Sequence, residues 1–420
     1  MPDNPIYDII IVGGGLVGAS LAAALRATPL KIGIIEAAPW FTDKRPPSYD
    51  DRIIALNYAS HRIFSGLGLW DKIAVEATPI KHIHISDQGH FGSTHLDSKD
   101  LRASALGYVV SARHLGQCLQ EILADSLIDI IAPAKFLEIN QSDNCLNIDI
   151  MQNKQSRTLQ TRLLVAADGG NSKVRQHLGI TNHSIDYGQT AIIGNVTLEY
   201  PHKNIAYERF TPSGPLALLP LQKNDCALVW TVASDKTDEV MALDDKTFLS
   251  SLQQQFGWRL GHFMQVGQRH CYPLQLSRIE EHTRPRVVII GNAAHTLHPI
   301  AGQGFNLGLR DVASLSEVII ESLEAGELVG SEKTLQDYVA RQEPDQENIT
   351  NITNMLVQVF SNSFPPLVVA RNLGLLVTDA LPPLKKLLVR RMAGLSAYSS
   401  NLLCGLPTTN IKYGKITTLN

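Results

Sequence analysis

The sequence predicts an α/β fold that carries an inserted antiparallel β-sheet domain and ends in a helical tail. Three stretches carry that expectation. Residues 7–15, YDIIIVGGG, are an apolar run that ends in glycine, followed by a small-residue helical pattern and a second apolar run at 31–36. Residues 284–311, RPRVVIIGNAAHTLHPIAGQGFNLGLRD, again read as a buried parallel strand, a glycine-lined loop and a helix start. Between them, residues 185–280 turn to strand-like segments such as IIGNVTLEY and CALVWTVAS, separated by Gly/Pro turns.

Composition narrows the function classes. The 420 residues suffice for two or three domains. With 44% hydrophobic and 18% charged residues they can bury a large core. A net charge of -3 gives no electrostatic case for nucleic acid. Cys118, Cys145, Cys226, Cys271 and Cys404 are far apart and form no CxxC pair, which predicts reduced, buried thiols in a cytoplasmic protein and no metal site. The N-terminus enters a strand directly and does not read as a signal peptide. No stretch of ~20 uninterrupted apolar residues predicts a spanning helix.

Taken in order, Gly13-x-Gly15-x-x-Gly18 sits between a strand and a helix, and Glu36 closes the next strand. This is the layout of a dinucleotide site: Gly13 permits the tight turn, Gly15 admits a pyrophosphate, and Gly18 lets the helix pack on the strand. A carboxylate at Glu36 suits an unphosphorylated ribose, hence FAD or NAD over NADP. Pro46-Pro47 mark a loop, after which Arg52 is expected to begin an apolar helix with Asp51 near its cap. Alone, Arg52 reads as a surface ion-pair residue. Residues 80–96 alternate as antiparallel strands around Gln88-Gly89, with His82, His84, His90 and His95 expected as surface strand histidines rather than ligands. Arg113 and Gln117 share one face of a helix, facing either a phosphate or solvent. Asp168 follows the apolar strand Leu163–Ala167, at the carboxyl edge where open α/β sheets bind ligands.

A helix is expected over 245–261, another from about Phe305, and helical structure over 314–343. The N-terminus near Phe305, preceded by Pro299, Gly302 and Gly304, would turn N–H groups and a partial positive charge toward an anion. The tail over 352–404 is amphipathic, with Pro365-Pro366, Pro382-Pro383 and the basic LKKLLVRRMAGL. It reads either as helices packed on the domain or a sister subunit, or as a contact with a membrane surface or partner protein. The domains are expected at 1–75, 100–180 and 280–345 (discontinuous α/β), 76–99 and 181–279 (β-rich), and 346–420 (helical).

Three motifs now stand together: Gly13-Gly-Gly15-Leu-Val-Gly18 with Glu36; Asp168-Gly169 before Ser172 and Arg175; and Gly291-Asn292-Ala293-Ala294-His295 leading to Pro299 and Gly302-Gln303-Gly304. Their order and spacing resemble the flavoprotein aromatic hydroxylases of the para-hydroxybenzoate hydroxylase type, the group A monooxygenases, with a Rossmann-like FAD-binding domain. That family's third motif normally begins Gly-Asp; here Asn292 keeps a hydrogen-bonding group without the charge. SDQGHFGSTHL, AYERFTPSGPLALLP, FGWRLG and PLVVARNLGL resemble the ubiquinone-biosynthesis branch, and within it the 2-polyprenyl-6-methoxyphenol hydroxylases, whose third motif also reads Gly-Asn.

The resemblance implies roles position by position. Gly13, Gly15, Gly18 and Glu36 would hold the FAD adenosine and pyrophosphate, Arg52 would lie near the flavin, and Arg113 and Gln117 would lie at the diphosphate. Asp168 and Asn292 would meet the linking chain. Pro299, Gly302, Gln303 and Gly304 would line the isoalloxazine, and Asn306, just inside the helix that follows, would also contact the cofactor. Tyr207, Phe210, Leu218, Pro220 and Trp230 would form the substrate wall. The resemblance also implies NAD(P)H as electron donor, bound without a second GxGxxG, and O2 delivered to the ring through a flavin C4a-hydroperoxide. No catalytic side chain is required, and His295 and His298 are expected to structure the loop. The implied substrate is a polyprenyl phenol. The implied partners are a ubiquinone-biosynthesis complex, a homo-oligomer or the inner face of a membrane. A hydroxylase of a soluble phenol or another ring position, an FAD dehydrogenase and a non-catalytic flavoprotein scaffold are the competing readings.

Overall fold

The computed structural model describes residues 6–40, 52–142, 144–297, 302–360, 362, 364–395 and 400–408. Its first sheet has eight strands: 129–131, 32–35, 7–12, 155–166 and 287–289 run parallel to one another, 283–284 is antiparallel at one edge, and 146–152 and 134–141 add an antiparallel branch on 155–166. Ile9 stands opposite both Leu163 and Ile32, and Ile9, Ile10 and Ile11 are wholly buried. A strand covered on both faces needs no polar alternation, which is why this segment reads as a continuous apolar run. The Leu16–Leu25 helix, rich in alanine, lies close against the Gln303–Glu324 helix, where Val17 meets Gly291 and Gly308.

The second sheet has nine strands, ordered 295–296, 270–279, 182–198, 225–233, 214–220, 205–211, 82–87 and 93–97, with 263–266 beside 182–198. Every pairing is antiparallel except 205–211 with 82–87. The Asp245–Phe256 helix covers one face, packing Phe248 and Leu252 onto Tyr207, Leu218 and Trp230. The opposite face meets the first domain and the C-terminal helices.

Four local expectations are corrected. Arg52 precedes a strand, Ile53–Asn57, rather than opening a helix. Ile53-Ile54 suit an extended pairing with Gly107–Ser111, and the helix begins only at Tyr58, capped by the Asn57 side chain on the Ser60 N–H. The helical stretch read over 314–343 is two helices, Gln303–Glu324 and Glu332–Phe360, divided where Gly326 and Gly330 take positive φ. All five cysteines are free, but Cys271 and Cys404 are exposed. Of the histidines expected on the surface of 80–96, His84 is instead buried, facing Tyr207 and Arg259.

In the tail, Pro365–Ala380 and Pro382–Met392 each begin at a proline pair. The first covers the edge strand Ser93–Asp97. Its contacts are polar: Asn372 donates to Asp87 (2.8 Å) and accepts the Gly92 N–H (2.8 Å), Arg371 pairs with Asp87 (2.8 Å), and Thr94 donates to the Leu375 carbonyl (2.6 Å). Of its residues only Asn372 is buried, whereas Val369, Leu373, Leu376 and Val377 are exposed. Leu375 packs inward on the Ile85/Leu96 cluster, yet most of this helix's hydrogen-bonding groups face in and four of its large apolar side chains face out.

Candidate active site

The glycine turn shows three local demands. Gly13 has φ +106°, and a Cβ there would run into the Ala167 carbonyl. A Cβ on Gly18 would meet the Gly13 carbonyl, while Gly15 has nothing within 4 Å. Two glycines thus permit close packing and the middle one leaves open space. Glu36 is fixed beside them, accepting the Gly14 N–H at 2.7 Å and the Ala38 N–H at 2.8 Å on separate oxygens.

Gly13, Gly15, Glu36, Arg52, Asp168, Asn292 and Gly304 all line one cavity of about 1060 Å³. That is at the upper end of the range for small-molecule sites, roughly 300–1,000 Å³. Asp168 divides its carboxylate. One oxygen accepts the Lys173 N–H (2.7 Å) and Val174 N–H (3.3 Å), and the other is buried without a partner on the protein. Such an oxygen is suited to accept a hydroxyl from a bound group. At the far wall, Gly302 adopts φ +60° and starts the 22-residue Gln303–Glu324 helix, whose Gly304 and Phe305 border the cavity. The free N–H groups and dipole of this end favour negative charge there.

Other predicted residues stand elsewhere. Asn306 is wholly buried, and both ends of its amide serve the protein: Oδ1 accepts from the Asn57 N–H (2.9 Å) and Ser60 Oγ (2.6 Å), and Nδ2 donates to the carbonyls of Ala55 (2.8 Å) and Gly302 (2.6 Å). It fixes the loop and does not line the cavity. Arg113 and Gln117 are exposed on their helix, and only the neighbouring Ala112 reaches the cavity wall. Gln303 is buried and lies outside the lining. Pro299 and His298 lie outside the described residues.

Two positioning groups gain roles that the sequence did not show: Arg175, named there only as part of the second motif, and Asp311. Arg175 bridges the second and third motifs, donating to the carbonyls of Ala293 and Gly170, each at 2.7 Å. Asp311 gathers the Gly291 N–H (2.8 Å), His295 Nε2 (2.7 Å), and the amides of Gln342 and Gln346 (2.8 Å each). Burial would raise the Asp311 carboxyl, but His295 and these hydrogen bonds outweigh it and hold it below the usual range. His295 thereby ties the loop to the helix. Only the polar side chain on an otherwise apolar helix face signalled Asp311.

A second cavity, about 170 Å³ and mostly apolar, adjoins the first, with Ile53 lining both and Gly302 at its wall. Of the five predicted wall residues, only Tyr207 borders it. Strand alternation explains the rest. Ala206, Glu208, Ala217, Leu219 and Val229 line the cavity, whereas Leu218 and Trp230 belong to the opposite face. There Trp230 meets Phe248 and the Tyr207 ring meets Phe256. Pro220, on the same alternation as Leu218, is also absent from the lining. Phe210 is stacked on Phe360 with ring centroids 3.7 Å apart.

The FAD-binding domain family matches residues 6–352. The chain belongs to that family, the group A flavin hydroxylases. It is an FAD-dependent monooxygenase. The ubiquinone hydroxylase UbiL of Rhodospirillum rubrum is 34% identical over 413 residues, covering 96% of this chain and 94% of that one. The 3-demethoxyubiquinol 3-hydroxylase of Escherichia coli K12 is 31% identical over 399 residues, covering 93% and 100%. Among solved structures, p-nitrophenol 4-monooxygenase PnpA of Pseudomonas putida superposes with a TM-score of 0.78 at 19% identity, covering 94% of this chain and 99% of PnpA. The open space over Gly15, the unpartnered Asp168 oxygen and the helix end at Gly304 fit the diphosphate, hydroxyl chain and flavin ring of FAD, respectively.

Proposed function

We propose that this flavoprotein hydroxylates the aromatic ring of a polyprenylated phenol, such as a 2-polyprenyl-6-methoxyphenol, in ubiquinone biosynthesis, using NAD(P)H and O2. Bound FAD supplies acceptance of electrons from NAD(P)H and activation of O2. The observation that carries the reading is the apolar cavity, walled by Gly302, that adjoins the cofactor cavity at Ile53. A phenol ring seated there lies beside the loop that the flavin ring would occupy. The relatives named as ubiquinone hydroxylases support the substrate class.

The chain's own residues bind, orient and enclose. Gly13, Gly15 and Glu36 hold the nucleotide end, and Asp168 and Asn292 the linking chain. The Gly302–Phe305 turn presents backbone N–H groups to negative charge on the flavin ring. Leu219, Val229, Val389 and Met392 exclude water from the ring-binding cavity.

The tail supports work at a membrane surface. No single described helix is long and apolar enough to cross a membrane, and the Pro365–Ala380 and Pro382–Met392 pair bends by 100°. Leu373, Val377, Leu384 and Leu387 are exposed, as are Lys386, Arg390 and Arg391, so an apolar face stands beside cations, as suits an anionic lipid surface. The inner side of the second helix, at Val389 and Met392, lines the ring-binding cavity.

The test is incubation of FAD-loaded protein with NADH or NADPH, 18O2 and a short-chain prenyl phenol. A ring-hydroxylated product carrying one 18O supports the reading; NAD(P)H oxidation that no phenol stimulates refutes it. For the surface, Leu373→Glu with Val377→Glu should abolish co-sedimentation with anionic vesicles. Equal sedimentation of wild type and variant would refute lipid docking.

A further inference from the structure

Among the described residues, Glu208 is the one carboxyl on the wall of the apolar cavity. Ala206 and Phe210 flank it along its strand face, and Ala217 and Ile85 stand opposite it on the neighbouring strands. It has no hydrogen bond or ion pair to any described residue. Its described companions on the wall come from strands 53–57, 78–80, 82–87, 93–97, 214–220 and 225–233, from the 106–107 and Gly302 backbone, and from the end of the Pro382–Met392 helix, and they bring no other charge. Tyr207 is the only other titratable residue there among the described residues, and its ring packs on Phe256 on the far face. The cations of the Pro382–Met392 helix, Lys386, Arg390 and Arg391, are exposed outside the cavity.

A half-buried carboxyl on an apolar wall, with no partner among the described residues, contributes nothing to packing that a glutamine or leucine would not, and it is costly to ionise. Such groups concentrate where chemistry needs them. The cavity volume, about 170 Å³, is close to the roughly 150 Å³ of an engineered cavity that takes up benzene, so a single aromatic ring is a sensible occupant. The ring then brings a phenolic O–H into a space whose one charged acceptor is Glu208.

Resting on the hydroxylase reading above, we infer that Glu208 is a catalytic residue that accepts the phenolic proton of the substrate. The phenol O–H bond breaks, an O–H bond forms on the Glu208 carboxylate, and the electron pair stays on the phenolate oxygen. That charge raises electron density at the ring carbons ortho and para to it, which favours electrophilic oxygen transfer. The held proton returns to a product oxygen before release, so glutamate is unchanged over a turnover. Burial pushes the Glu208 carboxyl up to about 7, which leaves a working fraction of base at neutral pH.

The test uses FAD-loaded wild type, E208Q and E208D with a short-chain prenyl phenol, following ring-hydroxylated product against pH. Flavin absorbance of each purified variant reports folding and cofactor retention. The wild-type rate should rise through an ascending limb near pH 7. E208Q should lose about 10²-fold or more in product formation together with that limb, and E208D should recover the limb. In difference absorbance, the bound phenol should ionise on wild type near neutral pH and stay protonated on E208Q. An E208Q enzyme with wild-type rate and pH profile would overturn the assignment while leaving the hydroxylase reading intact. A wild type that oxygenates no phenol would overturn both.

Discussion

Replacing Glu208 by glutamine tests its isolation through stability, independently of turnover. The substitution removes an ionisable group at nearly constant volume. Burial raises the carboxyl from 4.5 to about 7. At about 1.4 kcal/mol per pKa unit, ionising it in the folded protein costs up to about 3 kcal/mol more than in the unfolded chain. Below pH 4.5 the group is neutral in both states. Between 4.5 and 7 the unfolded chain loses its proton first, so the native state binds more protons and wild-type stability falls as pH rises. Above 7 both are ionised and the full cost remains. E208Q escapes this loss. With an unfolding entropy of about 2 cal/mol/K per residue over 420 residues, 3 kcal/mol corresponds to about 3 °C. Thermal unfolding of wild type and E208Q in saturating FAD should give equal Tm at pH 4.5. By pH 8 the variant should be ahead by about 2–3 °C. A Tm difference that stays flat over this range would show that Glu208 has a partner or is well hydrated, and would remove the physical basis for its role.

Other substitutions probe the framework. Asn306→Ala strands the Asn57 N–H and the carbonyls of Ala55 and Gly302, and should destabilise by about 2–4 kcal/mol, read by thermal unfolding of the FAD-free protein. Asp168→Ala removes the acceptor for Lys173 and Val174 and the free oxygen in the cavity, so FAD affinity by titration should weaken at least about tenfold; unchanged affinity would exclude a contact with the cofactor chain. Gly18→Ala forces a Cβ onto the Gly13 carbonyl, and should yield protein without flavin absorbance or no folded protein at all.

What was legible in the sequence was local. The glycine turn, Glu36 directly after strand Ile32–Ile35 and Asp168 just beyond strand Gln155–Ala166 are set by spacing along one segment, and all line one cavity. What was hidden depends on pairing between distant segments. Arg52 looked like a helix start because Ile53–Asn57 finds its partner only at Gly107–Ser111. Leu218 and Trp230 were placed on the substrate wall, but a one-residue change of strand parity turns them to the Asp245–Phe256 helix and brings Glu208 and Ala217 round instead. The tail's amphipathicity was visible, but not that its polar side docks on Asp87 and its apolar side faces out. Asn306 carries the right chemistry for a ligand, yet its neighbours in the fold use it fully.

The most direct measurement of the central claim is mass analysis of the aromatic product formed by FAD-loaded protein from NADH or NADPH, 18O2 and a prenylated 6-methoxyphenol. The account predicts a gain of one oxygen, labelled from 18O2, on the ring, with reductant consumed in proportion. Recovery of unmodified phenol alongside phenol-independent peroxide formation would contradict it.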